Sequence, residues 1–495
     1  MKKDVVLVFP KTSQDIGGSI SAPFSVLTIA APLKEDGYNI RIIDQRIESD
    51  WRTTLEKEVR QHPTCVGVSS MTGFQIHYAL EAVNLVKDTS PDTKVVFGGI
   101  HASIMPEQSL KTSSIDYVVR NEGEATFREL VNALENDSSV SNINGLTYKS
   151  GEKIISNQDR EFIKLDDMPP TPWELIDADR YIHKVVIMGD SGREMDIGET
   201  TRGCPFNCRF CYNALHHKRC WRSMSVEKTV EMIKNAVDKF KLDAIWLRDD
   251  NFFVDFKRVE GIAESMVNEK MDVRWYTSGI RIDLFNGMDE NMIKLLKKSG
   301  CDSFRFGVES GSQRILDLIG KNIRVEEVVA ANDRCRKHGL TPHYSYMCGF
   351  PTETVDDIMK TVHLAMKLKK DNPDGKMHPI NVYAPYPGTE LYALCLKEGL
   401  TPPKSLEEWS HIDWMSKDPR FLSYLSEEVF ETANSVSNLS YFVSDAVRMV
   451  LPDYVKMLAL PILLWSDFRW NHRIYAQDYE MWLFRKIVDK VLGKD

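Results

Sequence analysis

The sequence has no apolar run that approaches the ~20 residues of a membrane-spanning helix. The longest late apolar run, residues 457–465, is interrupted by Pro461. The first three residues lead directly into the short apolar run 5–9, and no signal-peptide cleavage site follows. We therefore expect no transmembrane segment, and a cytoplasmic location in which thiols stay reduced.

An excess of basic residues is also lacking. The chain has 63 lysines and arginines against 72 aspartates and glutamates, a formal net charge of −9. Nucleic-acid-binding proteins present a basic face, so we expect no nucleic acid partner. Its 42% hydrophobic and 27% charged residues are typical of a folded globular protein. A length of 495 residues allows about two to four domains.

Three of the nine cysteines are clustered. Cys204, Cys208 and Cys211 lie within eight residues. Short loops between thiolate ligands suit an iron–sulfur cluster. Three thiolates would ligate three irons of a [4Fe–4S] cluster, and the fourth iron would stay open for a small molecule.

Zinc is the competing interpretation of these thiols. A closed structural zinc site needs four ligands, usually in two pairs. No second CxxC pair follows the cluster, which favours iron–sulfur. Cys220, His216 and His217 lie close by in the sequence, so counting alone leaves zinc open.

Residues 1–145 alternate short apolar runs with helical segments, which predicts a doubly wound parallel sheet of flavodoxin-like type. We expect strands at 5–9, 40–43, 66–70, 94–97 and 117–119, with helices at 25–34 and 76–86. Such sheets bind ligands at the carboxyl ends of their strands. These ends carry Ser69, Ser70, Gly98, Gly99, His101 and Glu124. A sheet without a ligand, with a structural His101, is the alternative.

The next 255 residues predict a connector and a barrel. Residues 146–190 include three prolines at 169, 170 and 172, which fix an extended path. Residues 191–400 predict six strands, at 197–201, 244–247, 273–277, 303–308, 343–347 and 379–384. Six strand–helix units form a (β/α)6 partial TIM barrel, whose chemistry lies at the carboxyl ends of its strands.

Three polar motifs fall at those ends and contain Asp250, Arg281 and Glu309. A carboxylate suits a diol or an ammonium group, and a guanidinium suits a carboxylate. Structural alternatives exist for two of them. Asp249 and Asp250 are also typical helix caps, and Glu309 precedes residues typical of a turn.

The CxxxCxxC spacing, with Phe210 before the last cysteine, resembles the radical S-adenosylmethionine (SAM) superfamily. The flanking residues 199–203 and 222–223, together with the strand-end motifs, resemble its cobalamin-binding branch. The resemblance covers roughly residues 1–400 and implies three cofactors. These are a [4Fe–4S] cluster on Cys204, Cys208 and Cys211, SAM, and cobalamin in the domain of residues 1–145.

The resemblance also implies roles for individual residues. Asp250 would meet the methionine amino group of SAM, and Arg281 its carboxylate. Glu309 would hold a ribose hydroxyl, and Phe210 would pack beside the adenine. The strand-end serines would hydrogen-bond the cobalamin tail, and Gly98 with its neighbour would let the flat ligand approach closely.

One residue departs from the cobalamin motif. Arg46 stands where that motif has the histidine that ligates cobalt from below. Arginine stays protonated and is a very poor metal ligand. We therefore expect no histidine ligand from this motif.

The activity implied by the resemblance begins with an external electron donor of flavodoxin or ferredoxin type. The cluster would cleave SAM to a 5′-deoxyadenosyl radical, and methylcobalamin would methylate an unactivated carbon. One alternative is oxidative cyclisation or ring rearrangement of a tetrapyrrole or another metabolite. A more distant one is a non-catalytic corrinoid-binding protein. The sequence names neither a catalytic residue nor the substrate.

Residues 401–495 predict a mostly helical C-terminal domain that is rich in tryptophan. Its periodicity indicates helices over 427–450 and 481–492. We expect a cap that buries these aromatic side chains. A substrate lid, or contact of the basic stretch 469–473 with a membrane surface, is the alternative.

Overall fold

The computed structural model describes residues 4–12, 20–185, 191–412, 418–450, 453–475, 480 and 482–483. Two α/β units follow each other along the chain, and a group of helices packs on the second. This is the predicted fold class. The helix expected over 481–492 lies almost wholly outside the described residues.

The first unit is built on a seven-stranded sheet in the order β2-β1-β3-β4-β5-β6-β7. Its strands are β1 (Asp4–Phe9), β2 (Asn39–Asp44), β3 (Cys65–Ser69), β4 (Val95–Gly98), β5 (Tyr117–Val119), β6 (Leu146–Ser150) and β7 (Lys153–Ser156). The first five pair in parallel, and β1 lies between β2 and β3. The order 2-1-3-4-5 is that of flavodoxin-like sheets, whose ligand crevice lies where the strand order reverses.

Six helices cover this sheet. They are α1 (Phe24–Glu35), α2 (Trp51–Val59), α3 (Gln75–Thr89), α4 (Ile100–Ile104), α5 (Pro106–Lys111) and α6 (Glu124–Glu135). The central strands are apolar on both faces, as a doubly covered sheet requires, and Val5 to Val8 are fully buried. The sequence pattern missed α2, whose apolar positions are only Trp51, Leu55 and Val59.

The sheet continues past residue 145, where the first domain is predicted to end. Strands β6 and β7 form an antiparallel hairpin, and β6 pairs with β5. The hairpin occupies the first part of the predicted connector. Strand β6 goes from buried at Leu146 to exposed at Ser150, and β7 has exposed ends and a half-buried middle, so both lack the apolar runs that identify the central strands.

The second unit contains six parallel strands in two hydrogen-bonded ladders, β13-β12-β9 and β14-β15-β16. Within the described residues, the strands of this unit are β8 (His183–Val185), β9 (Ser191–Gly198), β10 (Thr201–Arg202), β11 (Arg222–Ser223), β12 (Ala244–Leu247), β13 (Arg274–Thr277), β14 (Ser303–Glu309), β15 (Thr341–Cys348) and β16 (Lys376–Val382). A parallel bridge between Ile280 and Phe306 joins the two ladders, and β8 adds an antiparallel edge to β9. The predicted partial barrel is confirmed.

The first barrel strand ends earlier than predicted. The sequence suggests 197–201, but β9 ends at Gly198, and the chain then forms the two-residue strand β10. Strand β10 pairs antiparallel with β11, which lies beyond the cysteine cluster. This pairing closes residues 203–221 into one loop, called the cysteine loop below.

Helices surround the barrel. They are α7 (Asn213–His216), α8 (Val226–Phe240), α9 (Phe256–Asn268), α10 (Ile282–Gly287), α11 (Glu290–Lys298), α12 (Gln313–Leu318), α13 (Val325–His338), α14 (Val355–Asp371) and α15 (Glu390–Lys397). Ser225 caps α8 as predicted, because its hydroxyl accepts from Lys228 N.

The C-terminal helices are α16 (Leu406–Trp409), α17 (Glu427–Val443), α18 (Asp445–Val450) and α19 (Asp453–Asn471). Helix α17 packs on β16, and the Ser440 hydroxyl accepts a hydrogen bond from Ile380 N at 2.8 Å. Trp409 is buried against the first unit, where its indole N–H donates to Gln108 Oε1 at 2.6 Å. Among the described residues, none of the helices has the length and hydropathy of a membrane span.

Candidate functional site

A cavity of about 1180 Å³ lies between the strand ends of the first sheet and the mouth of the barrel. Its first-sheet wall includes Ser69, Ser70, Gly98, Gly99 and Glu124, and its barrel wall includes Glu199, Arg202, Tyr212 and Asp250. Pockets for ordinary small molecules measure roughly 300–1,000 Å³. This cavity therefore has room for one bulky ligand or for two ligands side by side.

The first-sheet wall presents small polar groups. Ser69 Oγ lies 2.9 Å from Ser25 Oγ, and the Ser70 hydroxyl donates to the Gly98 carbonyl at 3.0 Å. The sequence suggests that both glycines make room for a ligand. Gly99 has a different role, because its φ is +93° and a Cβ there would lie 2.4 Å from the Ser70 carbonyl oxygen. Only glycine allows these two loops to pack so closely.

Arg46 lies in the same wall, and its guanidinium is held through Nε and Nη2. It donates to Asp44 Oδ1 at 2.9 Å and Oδ2 at 2.6 Å, and to the Ser21 carbonyl at 2.9 Å. It also stacks on Phe9, with Cζ 4.2 Å from the ring centre. Tyr181 donates a further hydrogen bond to Asp44 at 2.8 Å. This motif therefore offers a fixed cation and no histidine.

His101 does not line the cavity, although it is predicted as a cofactor-binding residue. The side chain is fully buried, its Nδ1 lies 2.9 Å from Thr72 Oγ1, and its ring packs against Trp409. Burial lowers its pKa to about 3. His101 thus has the features of the uncharged structural histidine that was the alternative. Its contact with Trp409 has no signal in the sequence.

The three clustered thiols are free and half-buried in the cysteine loop. Asn251 Nδ2 donates to Cys204 Sγ, and Arg281 Nη1 donates to Cys208 Sγ, each at 3.6 Å. Burial raises the pKa of Cys208, against the lowering effect of Lys321 and Arg281. Hydrogen bonds and cations at sulfur are what an anionic iron–sulfur centre requires, so this donor set fits a cluster.

Closed zinc coordination finds no support within the described ranges. In the part of the chain that the structure describes, no three His, Cys, Asp or Glu side chains form a ready-made metal site, and this holds for the three clustered thiols too. The zinc interpretation therefore depends on a fourth ligand near these thiols. Cys220 is exposed. His217 lies 3.5 Å from Asp250 Oδ2, and burial lowers its pKa to about 3 and that of His216 to about 4.

Asp250 connects the cysteine loop to the cavity wall. Its Oδ2 accepts from Gly203 N at 2.9 Å, directly before the first cysteine, and Tyr212 donates to its Oδ1 at 3.3 Å. Asp249 is buried and accepts from Thr200 N at 2.9 Å. Neither carboxylate caps the following helix, because Asp255 does so for α9.

Phe210 belongs to the cysteine loop, Arg281 bonds to one of its thiols, and Glu309 ends β14. These three are not among the described residues that line the large cavity. Phe210 packs 6.4 Å from the ring of Phe350. Arg281 donates to Asp283 and to the Lys321 carbonyl and stacks on a loop phenylalanine. These contacts and the hydrogen bond to Cys208 use most of the N–H groups of Arg281. Arg281 therefore stabilises the cysteine loop.

A buried ion network connects the two units at this cavity. Glu122, between β5 and α6, and Glu124, the first residue of α6, bond to arginines on either side of the cysteines. Arg222 donates to Glu122 at 2.5 Å and 3.1 Å, and Arg202 donates to Glu124 at 2.7 Å. The Arg202 side chain is 6% exposed, and so is that of Glu122. Two carboxylates of the first unit are thus neutralised by arginines that flank the cysteines.

Sequence reasoning missed the partners in these ion pairs. It selected Glu124 and Glu309 without Arg202 and Lys321. Arg202 stands two residues before Cys204, and its place in that motif was the only available signal. Nothing in the sequence connects Lys321 with Glu309, because only the folded barrel brings them together.

Comparison with protein families gives two matches. The radical SAM superfamily model matches residues 199–365, and the B12 binding domain model matches residues 17–131. An uncharacterized methyltransferase of Pyrococcus horikoshii is 31% identical over 425 residues, which cover 85% of this chain and 89% of the relative. The anaerobic magnesium-protoporphyrin IX monomethyl ester cyclase of Rubrivivax gelatinosus is 26% identical over 378 residues, 75% of this chain and 65% of that protein.

A solved structure shares the whole fold. It is OxsB, a cobalamin-dependent S-adenosylmethionine radical enzyme with aqua-cobalamin and S-adenosylmethionine bound. The TM-score is 0.68 at 17% identity, and the match covers 100% of this chain and 81% of that chain. The arrangement of the two α/β units is therefore one found in an experimentally determined structure.

Proposed function

Because this chain belongs to the radical SAM superfamily and carries a B12-binding domain, we propose that it is a cobalamin-dependent radical SAM methyltransferase. One observation carries the proposal. A single cavity has the strand ends of a flavodoxin-like sheet on one side and residues tied to a three-cysteine loop on the other. Two cofactors held on these two walls would face one substrate.

When bound, the cluster, SAM and methylcobalamin supply radical formation and a methyl group. The chain's own residues orient these groups. Cys204, Cys208 and Cys211 would hold the cluster, with Asn251 and Arg281 donating hydrogen bonds to two of the sulfurs.

The SAM-facing roles follow from position. Glu309 has one oxygen bound to Lys321, which leaves the other for a ribose hydroxyl. Phe210 and Phe350 offer an aromatic surface for the adenine. Asp250 would share its carboxylate between Gly203 N and the methionine amino group.

On the cobalamin side, Ser69, Ser70, Gly98 and Gly99 would contact the ligand. Arg46, which lines the same cavity, would face the cofactor as a fixed, non-ligating cation. Glu199 also faces this cavity, and burial raises its pKa to about 7 despite the nearby Arg202. Its carboxyl can therefore hold or release a proton close to neutral pH.

The cluster needs an external reductant, as radical SAM enzymes generally do. We assign that role to a one-electron donor of flavodoxin or ferredoxin type. The half-buried cysteine loop gives such a donor a short path to the cluster.

The test is anaerobic reconstitution with iron, sulfide and hydroxocobalamin, followed by reduction in the presence of SAM. We expect both 5′-deoxyadenosine and S-adenosylhomocysteine, because radical methyl transfer consumes SAM in two ways. 5′-Deoxyadenosine alone, with cobalamin bound, would favour cyclisation or rearrangement, in which cobalamin donates no methyl group. Neither product, from protein with an intact cluster, would indicate a corrinoid-binding protein without this activity.

Oxidative cyclisation is the second candidate, favoured by the similarity to the Rubrivivax gelatinosus cyclase. In that reaction cobalamin would not donate its methyl group. Product mass separates the two reactions, since methylation adds one methyl group and cyclisation removes hydrogen atoms. A product lighter than its substrate would establish the second candidate.

A further inference from the structure

The interior of the barrel contains an arginine without a carboxylate partner. Arg305 lies in the middle of β14 and lines the large cavity. Within the described part of the chain, its side chain donates one hydrogen bond, from Nε to the Ser345 hydroxyl at 3.2 Å. Both terminal nitrogens of the guanidinium therefore remain available to a ligand.

Carboxylates are present in the same interior, but each has another partner. Glu194 accepts from Tyr276, and Asp196 pairs with Arg248. Glu309, four residues further along β14, pairs with Lys321. Within the described residues, none of these acids neutralises Arg305.

The groups adjacent to Arg305 also add no negative charge. His343 lies opposite it on β15, and its Nδ1 lies 3.3 Å from His378 Nε2. Burial and Arg305 together lower the pKa of His343 to about 4, so this pair is neutral at physiological pH. Trp246 lines the same cavity, and its indole N–H is buried without a hydrogen-bond partner. The Trp246 indole is thus an unpaired hydrogen-bond donor in the wall of this cavity.

An unpaired cation inside a protein is costly, because burial removes water and no counter-charge replaces it. Burial and the nearby Arg248 lower the pKa of Arg305, and Glu309 and Tyr276 oppose this lowering only in part. Functional sites often contain groups that lower the stability of the folded protein and contribute to binding. Arginine is well suited to this task, since its planar fork grips an oxyanion with two hydrogen bonds.

We propose that Arg305 binds an anionic oxygen group of the substrate, a phosphate, phosphonate or carboxylate, with the Trp246 indole as a further donor. The inference rests on the proposed function and narrows its substrate to an anion. The anion would enter from the cavity and lie deeper in the barrel than Glu309. The substrate carbon would then stand between this anchor and the two cofactors.

The probe is inorganic phosphate, titrated into cobalamin-loaded holoenzyme and followed by ³¹P NMR line broadening. We expect saturable broadening, and Arg305→Gln should weaken phosphate binding by about tenfold or more, as for a lost charge-assisted contact. Arg305→Lys keeps the charge and should lie in between. Arg60→Gln, which removes an exposed arginine of the first unit, should leave binding unchanged.

Acetate, followed by ¹H NMR in the same series, identifies the anion class. Displacement of phosphate by acetate indicates a carboxylate-type site, and phosphate binding alone indicates a phosphate or phosphonate site. Arg305→Met should leave the thermal midpoint unchanged or raise it, because the variant removes an uncompensated buried charge. A large fall in the midpoint would indicate a structural arginine and overturn the proposal.

Two further results would also overturn it. The first is equal phosphate binding in Arg305→Gln and wild type. The second is a loss of SAM or cobalamin affinity in Arg305→Gln while phosphate binding persists. The second result would assign the arginine to a cofactor. Formation of 5′-deoxyadenosine in the same samples tests the proposed function separately. If wild type cleaves no SAM but binds phosphate, and Arg305→Gln does not bind phosphate, the anion site is supported and the proposed function is not.

Discussion

Glu309 accepts a hydrogen bond from Lys321 Nζ at 2.6 Å, and both side chains are almost fully buried. The neighbouring Gly307 makes the pair possible, because a Cβ there would lie 2.5 Å from Glu309 Oε1. Burial opposes the charge on Lys321, but Glu309 and Cys208 outweigh it and raise the pKa of the lysine. Lys321 thus serves both the proposed ribose ligand and the cysteine loop.

Lys321→Met should destabilise the protein, because it leaves Glu309 buried without a counter-charge. Breaking one side of a buried pair costs about 3–5 kcal/mol. We expect a loss of this order in urea unfolding of the apoprotein, and weaker SAM binding by calorimetry. The double variant Lys321→Met/Glu309→Gln should lose less than the single variant, since no buried charge remains.

The matched control is Lys234→Met, which breaks an exposed pair with Glu269 of the same 2.6 Å length. Exposed pairs contribute about 0–1 kcal/mol. Equal losses in the two lysine variants would contradict the importance of the buried pair.

The cysteine loop predicts a sharp difference among four thiols. Cys204→Ala, Cys208→Ala and Cys211→Ala should each prevent stable cluster assembly, since each removes one of three thiolate ligands. Cys220→Ala should retain it, because this thiol is exposed and unused in the assignment. Iron and sulfide content and the absorbance after reconstitution measure both outcomes. Loss of the metal centre in Cys220→Ala would favour a four-ligand site instead.

The ion network predicts that cobalamin binding depends on contacts between the two units. Glu122→Gln keeps the side-chain shape but leaves Arg222 and Arg202 without part of their counter-charge. We expect a loss of about 2–5 kcal/mol in unfolding free energy and weaker cobalamin binding by absorbance titration. Glu129→Gln breaks an exposed pair with Arg160 and should change neither quantity. Equal behaviour of the two glutamine variants would show that the network is dispensable.

The sequence predicts those parts of the fold that depend on residues close together in the chain. The central strands, such as 5–9 and 66–70, are apolar on both faces, and glycines and prolines end them. The spacing of the clustered cysteines is also enough to predict a metal-binding loop. These features need no knowledge of distant parts of the chain.

The remaining features depend on contacts that a linear pattern does not contain. Trp409 reaches His101 across about three hundred residues, and this contact makes the histidine structural. The two-residue strands β10 and β11 are too short for any periodicity. Arg305 lies in a strand whose sequence pattern is unremarkable. That it has no ion-pair partner among the described residues can be seen only in the folded structure.

Glu353 predicts a measurable pH dependence of stability. Burial raises its pKa from 4.5 to about 8, against two backbone N–H groups, those of Gly349 and Phe350, that donate to its Oε2. Between these two pH values the folded protein holds a proton that the unfolded chain has released. Stability from this group therefore falls as pH rises from 4.5 to about 8 and is constant above that range.

Glu353→Gln keeps the oxygen acceptor and removes the ionisation. Urea unfolding of both proteins at several pH values should show the variant gaining stability relative to wild type as pH rises toward 8. Parallel pH profiles would contradict the raised pKa. Phe350 donates one of the two backbone hydrogen bonds to Glu353 and packs beside Phe210. Ionisation of Glu353 at high pH should therefore weaken SAM binding in wild type and not in Glu353→Gln.

The most direct test of two cofactors in one cavity is electron paramagnetic resonance of the fully loaded protein. The sample contains cob(II)alamin, the reduced [4Fe–4S] cluster and SAM. We predict that reducing the cluster broadens or splits the cob(II)alamin signal, because both paramagnets face the same space, and that Cys211→Ser abolishes the effect. Two unperturbed, additive spectra would place the cofactors apart and contradict the account.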